Sequence, residues 1–325
     1  MDVSIIICCY NGKAHLRPAL EHIVRQKYDA NLNVEFIFVD NASTDGSADF
    51  VQKVWDELKA KMPFRIVHEA EPGLIHARRC GVRAANGKYI IFCDDDNWLR
   101  EDYVQTAYEL MEQMPNVGVM GGQSVLAPGI EAPAWWEKQQ GNYAVGKQLP
   151  QTGIANERGF VYGAGMTTRT ELAKKIFNDA YPFLLTGRKG DVCLSGEDGE
   201  YCTRVLMMGY DVYYSEDLYY WHEIDPSRLT DEYVKKLISS FLCGIAISEK
   251  YKYAIDFYRS SIVVRTKWLF ARIWNYWTAN QKTKARKKQL LDYHLYMCGM
   301  GKIHDDELDV IKGFWHYAQS IKRSR

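Results

Sequence analysis

The sequence predicts an α/β protein with a mostly parallel central sheet flanked by helices, followed by a helical C-terminal extension. Short apolar runs alternate with segments of helical periodicity through the first half of the 325 residues. Such alternation forms βαβ units, whose sheet is covered on both faces. Polar groups recur where those runs end, and sheets of this type bind ligands beyond the carboxyl ends of their strands. After about Pro226 the strand pattern stops and helical spacing continues to the end of the chain. The expected division is residues 1–225 for the sheet domain and 226–325 for the helical region.

In order, Val3–Cys9 is an apolar strand, and Leu16, Leu20, Ile23 and Val24 then recur at helical spacing. Val34–Val39 is a second strand ending at Asp40. Phe50, Val51, Val54 and Leu58 mark a second helix, with Pro63 beyond its end. Phe64–Val67 is a third strand and Leu74–Ala85 a third helix. Tyr89–Cys93 is short, rich in β-formers and bounded by Gly87, which predicts a buried strand. A helix over Glu101–Met114 and a strand at Val117–Met120 follow. From Gln123 to Phe160 the pattern fades among Gly, Pro and Gln, as in a long loop that carries binding residues. Regular structure resumes at Phe160–Tyr162. A short helix near Thr170–Phe177, a loop over Tyr181–Cys193, a helix after Glu197-Asp198 and an edge strand at Tyr210–Ser215 complete the domain.

Composition excludes some functions. The 41 Lys and Arg balance the 41 Asp and Glu, which argues against a polyanionic partner such as nucleic acid. The eight cysteines form no C-x-x-C pair, and Cys8, Cys9 and Cys93 fall in apolar strands where a thiol behaves as a small hydrophobe. A reduced, cytoplasmic setting fits them. The N-terminus lacks the basic start of a secretion signal, and no apolar stretch is long enough to span a bilayer.

Candidate chemistry begins with Asp94-Asp95-Asp96, directly after the Tyr89–Cys93 run. Three adjacent carboxylates repel and cannot enter an apolar core unpaired. A divalent cation such as Mg²⁺, which takes one or two carboxylates plus phosphate oxygens, would balance them; a solvated acidic turn is the alternative. Asp40 through Ser47 is either an Asx turn with a helix cap or a site where a carboxylate accepts the imino N–H of uracil, thymine or guanine. Arg78 and Arg79, in a helix opened by Pro72-Gly73, suit a diphosphate or a solvated face. Glu197 and Asp198 open a helix after a glycine, as a general base or as acids facing the helix dipole. His222, among aromatics, is a ligand or a packed ring.

These segments occur in order. Val3–Ile7 leading to Tyr10-Asn11, Asp40–Ser47, Gly73–Gly81, Gly87–Leu99, Gly163–Met166 and Glu197-Asp198 resemble the family-two glycosyltransferases of the GT-A fold over about residues 3–225. The resemblance implies a Rossmann-like sheet and transfer of a sugar, with inversion, from a nucleotide-sugar of UDP, dTDP or GDP type to a hydroxyl acceptor. It implies that Asp40 holds the base, that Asp94 and Asp95 face the ribose and phosphates, and that Asp96 binds Mg²⁺ or Mn²⁺ with His222 as a further ligand. Asp198 is then the catalytic base with Glu197 beside it. Tyr10, Asn11, Asp45, Arg78, Gly163 and Gly165 belong to the nucleotide-sugar site. Cys8-Cys9 stand where many members have Pro-Thr, and Arg79 where many have Asn. The pattern of processive synthases is absent, which suggests a single transfer per acceptor.

The other enzyme reading is a nucleotidyltransferase, although the chain lacks a Gly-rich, Lys-containing N-terminal loop for a triphosphate; a non-catalytic glycan-binding or scaffold protein on the same fold is the third. Trp135 and Trp136, after Pro133, are candidate acceptor-stacking rings. Residues 257–291 hold no acid, while nine Lys or Arg interleave with Trp, Tyr and Phe. Basic aromatic helices of this kind lie in membrane interfaces, which fits a lipid-linked acceptor in surface glycan assembly and a peripheral location on the inner face of the cell membrane.

Overall fold

A computed structural model describes residues 1–189, 192–300 and 305–323. The elements run β1 (Val3–Cys9), α1 (Leu16–Val24), β2 (Val34–Asn41), α2 (Ser47–Glu57), β3 (Phe64–Glu69), α3 (Leu74–Ala84), β4 (Tyr89–Asp94), β5 (Asn97–Leu99), α4 (Tyr103–Gln113), β6 (Val117–Leu126), α5 (Trp136–Gln139), β7 (Gly153–Ile154), β8 (Thr167–Arg169), α6 (Thr170–Ile176), β9 (Gly187–Lys189), β10 (Val192–Leu194), α7 (Glu197–Met207), β11 (Asp211–His222), α8 (Asp231–Arg259), α9 (Ile262–Trp277), α10 (Gln281–Met297) and α11 (Asp306–Arg323).

One sheet has the order β3-β2-β1-β4-β8-β6-β11-β5, with β7 also paired to β11. β3, β2, β1 and β4 are mutually parallel, as are β6 and β11. The short β8 runs antiparallel between β4 and β6. The strands of the parallel half are apolar on both faces, since Ile5, Ile6 and Ile7 of β1 are all fully buried.

Three expectations change. Tyr210–Ser215 lies in no edge strand: β11 continues to His222 and is flanked by β6 on one side and by β5 and β7 on the other. Its register shifts between Tyr214 and Tyr219, so the polar Ser215-Glu216-Asp217 forms an irregularity that looks, in sequence, like a strand end. Phe160–Tyr162 is coil, and the strand lies instead at β8, three residues with too little length for a periodic signal. Finally, the loop expected from Tyr181 to Cys193 carries the antiparallel pair β9 and β10, with residues 190 and 191 outside the described ones.

The chain divides into two compact units, Met1–Ile245 and Ala246–Arg325. In the first, the faces of β1, β2 and β4 pack on α1, α2 and α4 in one apolar core. A smaller cluster joins Trp136, Tyr143 and Val145 to Ile224, Val234 and Leu237. In the second, Tyr251, Ala254, Phe257, Ile311 and Phe314 are buried, and Lys250 is held by Asp305 and Glu307 at 2.6 and 2.7 Å. Cys8, Cys9, Cys80, Cys93, Cys202 and Cys298 are free thiols. Among the described residues no helix is long and apolar enough to cross a membrane.

Candidate functional site

Register gathers the polar residues. In the parallel ladder Cys9 faces Asp40 and Cys8 faces Asp94, so the ends of β1, β2 and β4 are level. The loops beyond β1 and β2 are laced together. Asn11, at φ 54°, accepts the Thr44 N–H at 2.8 Å, and its own N–H donates to Ser43 Oγ at 3.1 Å. Asp45 accepts the N–H groups of Lys13 and Ser47 at 3.1 and 3.0 Å. The acceptor atoms of Asp45 are thereby engaged in joining the two loops and holding the start of α2. Tyr10 is exposed. Asp40 accepts the Ser43 N–H at 3.2 Å and lies 3.1 Å from His68 Nδ1, its register partner on β3.

The aspartate triplet is distributed among three surroundings. Asp95 lies against Gly12, where an added Cβ would come within 1.8 Å of the carboxylate, so any side chain there would have to displace it. Burial, and then repulsion from Asp96, pushes the Asp95 carboxyl up to about 7. Burial likewise lifts Asp94 to about 6, against the pull of Arg78. Burial opposes ionisation of Asp96 too, but His222, Arg228 and Asn97 outweigh it and hold this carboxyl at about 2. The antiparallel pairing of β5 with β11 sets His222 opposite Asn97, which leaves His222 Nε2 3.5 Å from Asp96 Oδ1. Arg228 Nη1 is 3.5 Å from Asp96 Oδ2. Burial disfavours the His222 imidazolium, yet Asp96 and Asp94 raise its pKa above the usual value.

These residues fit a hard divalent cation. Asp96 and His222 offer an oxygen and a nitrogen on one spot, and the His222 Nδ1 atom is buried with no hydrogen-bond partner among the described residues. Burial, with repulsion among the three carboxylates, raises Asp94 and Asp95, and a bound cation would favour their charged forms. Among the described residues no three His, Cys, Asp or Glu form a cage for a metal. Two protein ligands with the remainder from phosphate and water is the usual arrangement for Mg²⁺.

The carboxylates at the start of α7 complete the cluster. Arg78 on α3 is only 3% exposed, stacks over Phe92 of β4 and donates to Asp198 Oδ1 at 2.5 Å. The Gly163 N–H donates to Asp198 Oδ2 at 2.8 Å. A Cβ on Gly163 would fall 2.2 Å from Asp198 and 2.4 Å from Arg78. The nearby acids raise the Arg78 pKa although burial opposes its charge. Burial, then repulsion from Asp198, pushes Glu197 up to about 7. Gly165, at φ 69°, gives its carbonyl to Tyr103 Oη at 2.5 Å.

Sequence reasoning placed Arg78 toward a diphosphate; in this structure its guanidinium is occupied by Asp198. Trp136, expected as an acceptor-stacking ring, is instead 7% exposed and packs in the small cluster with Tyr143 and Leu237, and a buried ring has no free face for a sugar. Trp135 is half-buried and stacks on Tyr143. Sequence reasoning missed His68, Arg228, and the His15–Glu223 pair at 3.6 Å. No local motif marks them, because strand register and chain return bring them in. It also missed the fully buried pair of Glu200 and Arg204 on α7, 2.8 Å apart. Glu200 accepts the N–H groups of Leu184 and Leu185, so it holds the segment before β9 against the helix that carries Asp198.

The family described as Glycosyl transferase family 2 matches residues 4–177. Glycosyltransferase GlyA of Streptococcus pneumoniae is 23% identical over 241 residues, 72% of this chain and 32% of that protein. The chain spans about a third of the length of the first curated relatives it matches. Two solved structures share the fold. S. aureus TarS 1–349, in complex with UDP-GlcNAc, has a TM-score of 0.51 at 14% identity, over 98% of this chain and 79% of that one. The mannosyltransferase PcManGT from Pyrobaculum calidifontis, in complex with GDP-Man and Mn²⁺, has a TM-score of 0.53 at 18% identity, over 98% of this chain and 75% of that one.

Proposed function

The chain belongs to glycosyl transferase family 2 and has the GT-A fold, and from that premise we propose that it is a glycosyltransferase that moves a sugar, with inversion, from a nucleoside-diphosphate sugar to a hydroxyl acceptor in surface glycan assembly. The observation that carries the reading is the meeting of Asp94–Asp96, Arg78 and Glu197-Asp198 beyond the carboxyl ends of β1, β2 and β4. UDP-GlcNAc and GDP-Man in the structural neighbours support the donor class.

Asp40, at the end of β2, accepts the imino N–H of the donor base, and Asp94 and Asp95 face its ribose and phosphates. Tyr10 and Asn11 border this pocket, while Asp45, Gly163 and Gly165 shape its walls. Asp96 and His222 would hold a divalent cation, Mg²⁺ or Mn²⁺; the structural neighbour PcManGT is in complex with GDP-Man and Mn²⁺. When bound, that cation supplies positive charge for the departing nucleoside diphosphate. Arg78 turns toward the diphosphate once donor is present and frees Asp198. The acceptor oxygen then bonds to the anomeric carbon from the face opposite the leaving group. The carbon–phosphate-oxygen bond breaks with its electrons going to the diphosphate, and Asp198 takes the hydroxyl proton. One displacement inverts the centre, and no enzyme nucleophile is needed. Glu197, pushed up to about 7 by burial and by Asp198, carries only part of its charge near neutrality and so limits the charge beside Asp198. A lipid-linked glycan as acceptor would set the reaction at the inner face of the cell membrane.

A panel of UDP-, dTDP- and GDP-sugars with Mg²⁺ or Mn²⁺ tests the reading. One donor should raise the melting temperature in a metal-dependent way and release nucleoside diphosphate slowly. Release of pyrophosphate from a nucleoside triphosphate would instead assign nucleotidyl transfer, and a catalytically inert protein that binds glycans would overturn the enzymatic role proposed for Asp198.

A further inference from the structure

The second unit presents a helix whose apolar face points outward. On α9, Ile262, Val263, Phe270, Trp274 and Trp277 are all exposed, Trp274 to 71% and Trp277 to 78%. At 3.6 residues per turn these five side chains fall within an arc of roughly 120°. Two of the three charged residues of α9, Arg265 and Arg272, lie on the half-buried side beside Trp268 and Leu269, while Lys267 is exposed. Arg265 donates to the carbonyls of Phe257 and Tyr258, and Arg272 lies over the Tyr253 ring at 4.8 Å. A helix of a water-soluble unit ordinarily turns its apolar residues inward, and exposed apolar patches of this kind mark interaction surfaces. Four residues beyond Trp277, α10 begins with Lys282, Lys284, Arg286, Lys287 and Lys288, and it packs beside α9.

We infer that the exposed face of α9 and the basic start of α10 together dock this unit on an anionic lipid surface. Phe270, Trp274 and Trp277 enter the headgroup–acyl boundary, where amphipathic aromatic rings are favoured, while the α10 cations meet lipid phosphates. Charge chooses the occupant. No acid lies between Phe257 and Leu291, so a second copy seated on this face would bring like charge against like charge. Such docking would serve the lipid-linked acceptor proposed above, on which it rests for its purpose alone.

The test is flotation of the full chain with vesicles of phosphatidylglycerol and phosphatidylcholine, beside vesicles of phosphatidylcholine only. Wild type should float with the anionic vesicles at low salt, with a blue shift of tryptophan emission, and should leave them at high salt. Phe270→Ser, Trp274→Ser and Trp277→Ser combined should lower partitioning by about tenfold or more. Lys282→Gln and Lys284→Gln should each lower it by about fivefold. All these positions are solvent-exposed, so circular dichroism and donor hydrolysis in lipid-free buffer should match wild type. Absence of flotation, or flotation unchanged by the triple variant, overturns the inference. So does a lipid-free dimer that the triple variant dissolves, which would assign the face to a second copy. Loss of donor hydrolysis in wild type, with flotation intact, would count against the catalytic reading only.

Discussion

Arg78 and Asp198, 120 positions apart in the chain, meet through a 2.5 Å ion pair that Gly163 closes from a third side. The pair joins the helix after β3 to the helix that opens with Glu197-Asp198. It also sets two proposed roles against each other: a carboxylate held by a guanidinium is a weak base, and a guanidinium held by a carboxylate is withheld from phosphate. Donor binding resolves the conflict if the diphosphate draws Arg78 away.

Asp198→Asn should lower the rate of sugar transfer by about 10²–10⁴-fold, while donor affinity should hold or rise as Arg78 is released from the pair. Steady-state kinetics with a fixed acceptor would check this. Transfer at the wild-type rate would remove Asp198 from the base role.

Gly163→Ala should be costly in two ways. Its Cβ would overlap both partners of the ion pair, so the pair must open or the loop must shift, at about 1–3 kcal/mol of stability. Transfer should fall with it. Chemical denaturation beside an activity assay would show whether both occur; an unperturbed midpoint would mean that the loop moves freely.

Chelation should stop turnover, and Asp96→Ala should abolish the metal-dependent rise in melting temperature with donor. His222→Ala should weaken that rise, because the imidazole faces the same carboxylate at 3.5 Å. Full turnover in excess chelator would refute the metal assignment.

Glu197 predicts a pH dependence of stability. Its carboxyl stands near 7 in the folded chain against an ordinary 4.5, so between those values the native state binds more protons than the unfolded one. Stability from this group is therefore greatest below about pH 4.5 and is lost as pH rises to about 7. In the donor-free and metal-free protein, the melting temperature of Glu197→Gln relative to wild type should climb across that window. A difference that stays flat with pH would contradict the placement of Glu197.

The strands and helices of the first half were legible in sequence because each is a local pattern. Ile5–Ile7 beside Phe36–Val39 reads as buried parallel strand, and the Asp triplet after Tyr89–Cys93 reads as a strand end bearing charge. The order of the motifs sufficed to suggest the family. What sequence could not show was pairing. β8 is too short to carry periodicity, and the irregularity at Ser215–Asp217 hides the length of β11. His222 reaches Asp96 only because β11 lies beside β5, and Arg78 reaches Asp198 only because α3 and α7 converge. Trp136 illustrates the same division, since adjacency to a proline says nothing of which neighbours will cover the ring. Local chemistry, strand periodicity and the acid-free tail were determined by the sequence itself, because each depends on residues close in the chain. The ion pairs, the carboxyl groups driven toward neutrality and the outward turn of the α9 apolar face were decided by the tertiary structure, because burial and charge proximity depend on which distant segments meet.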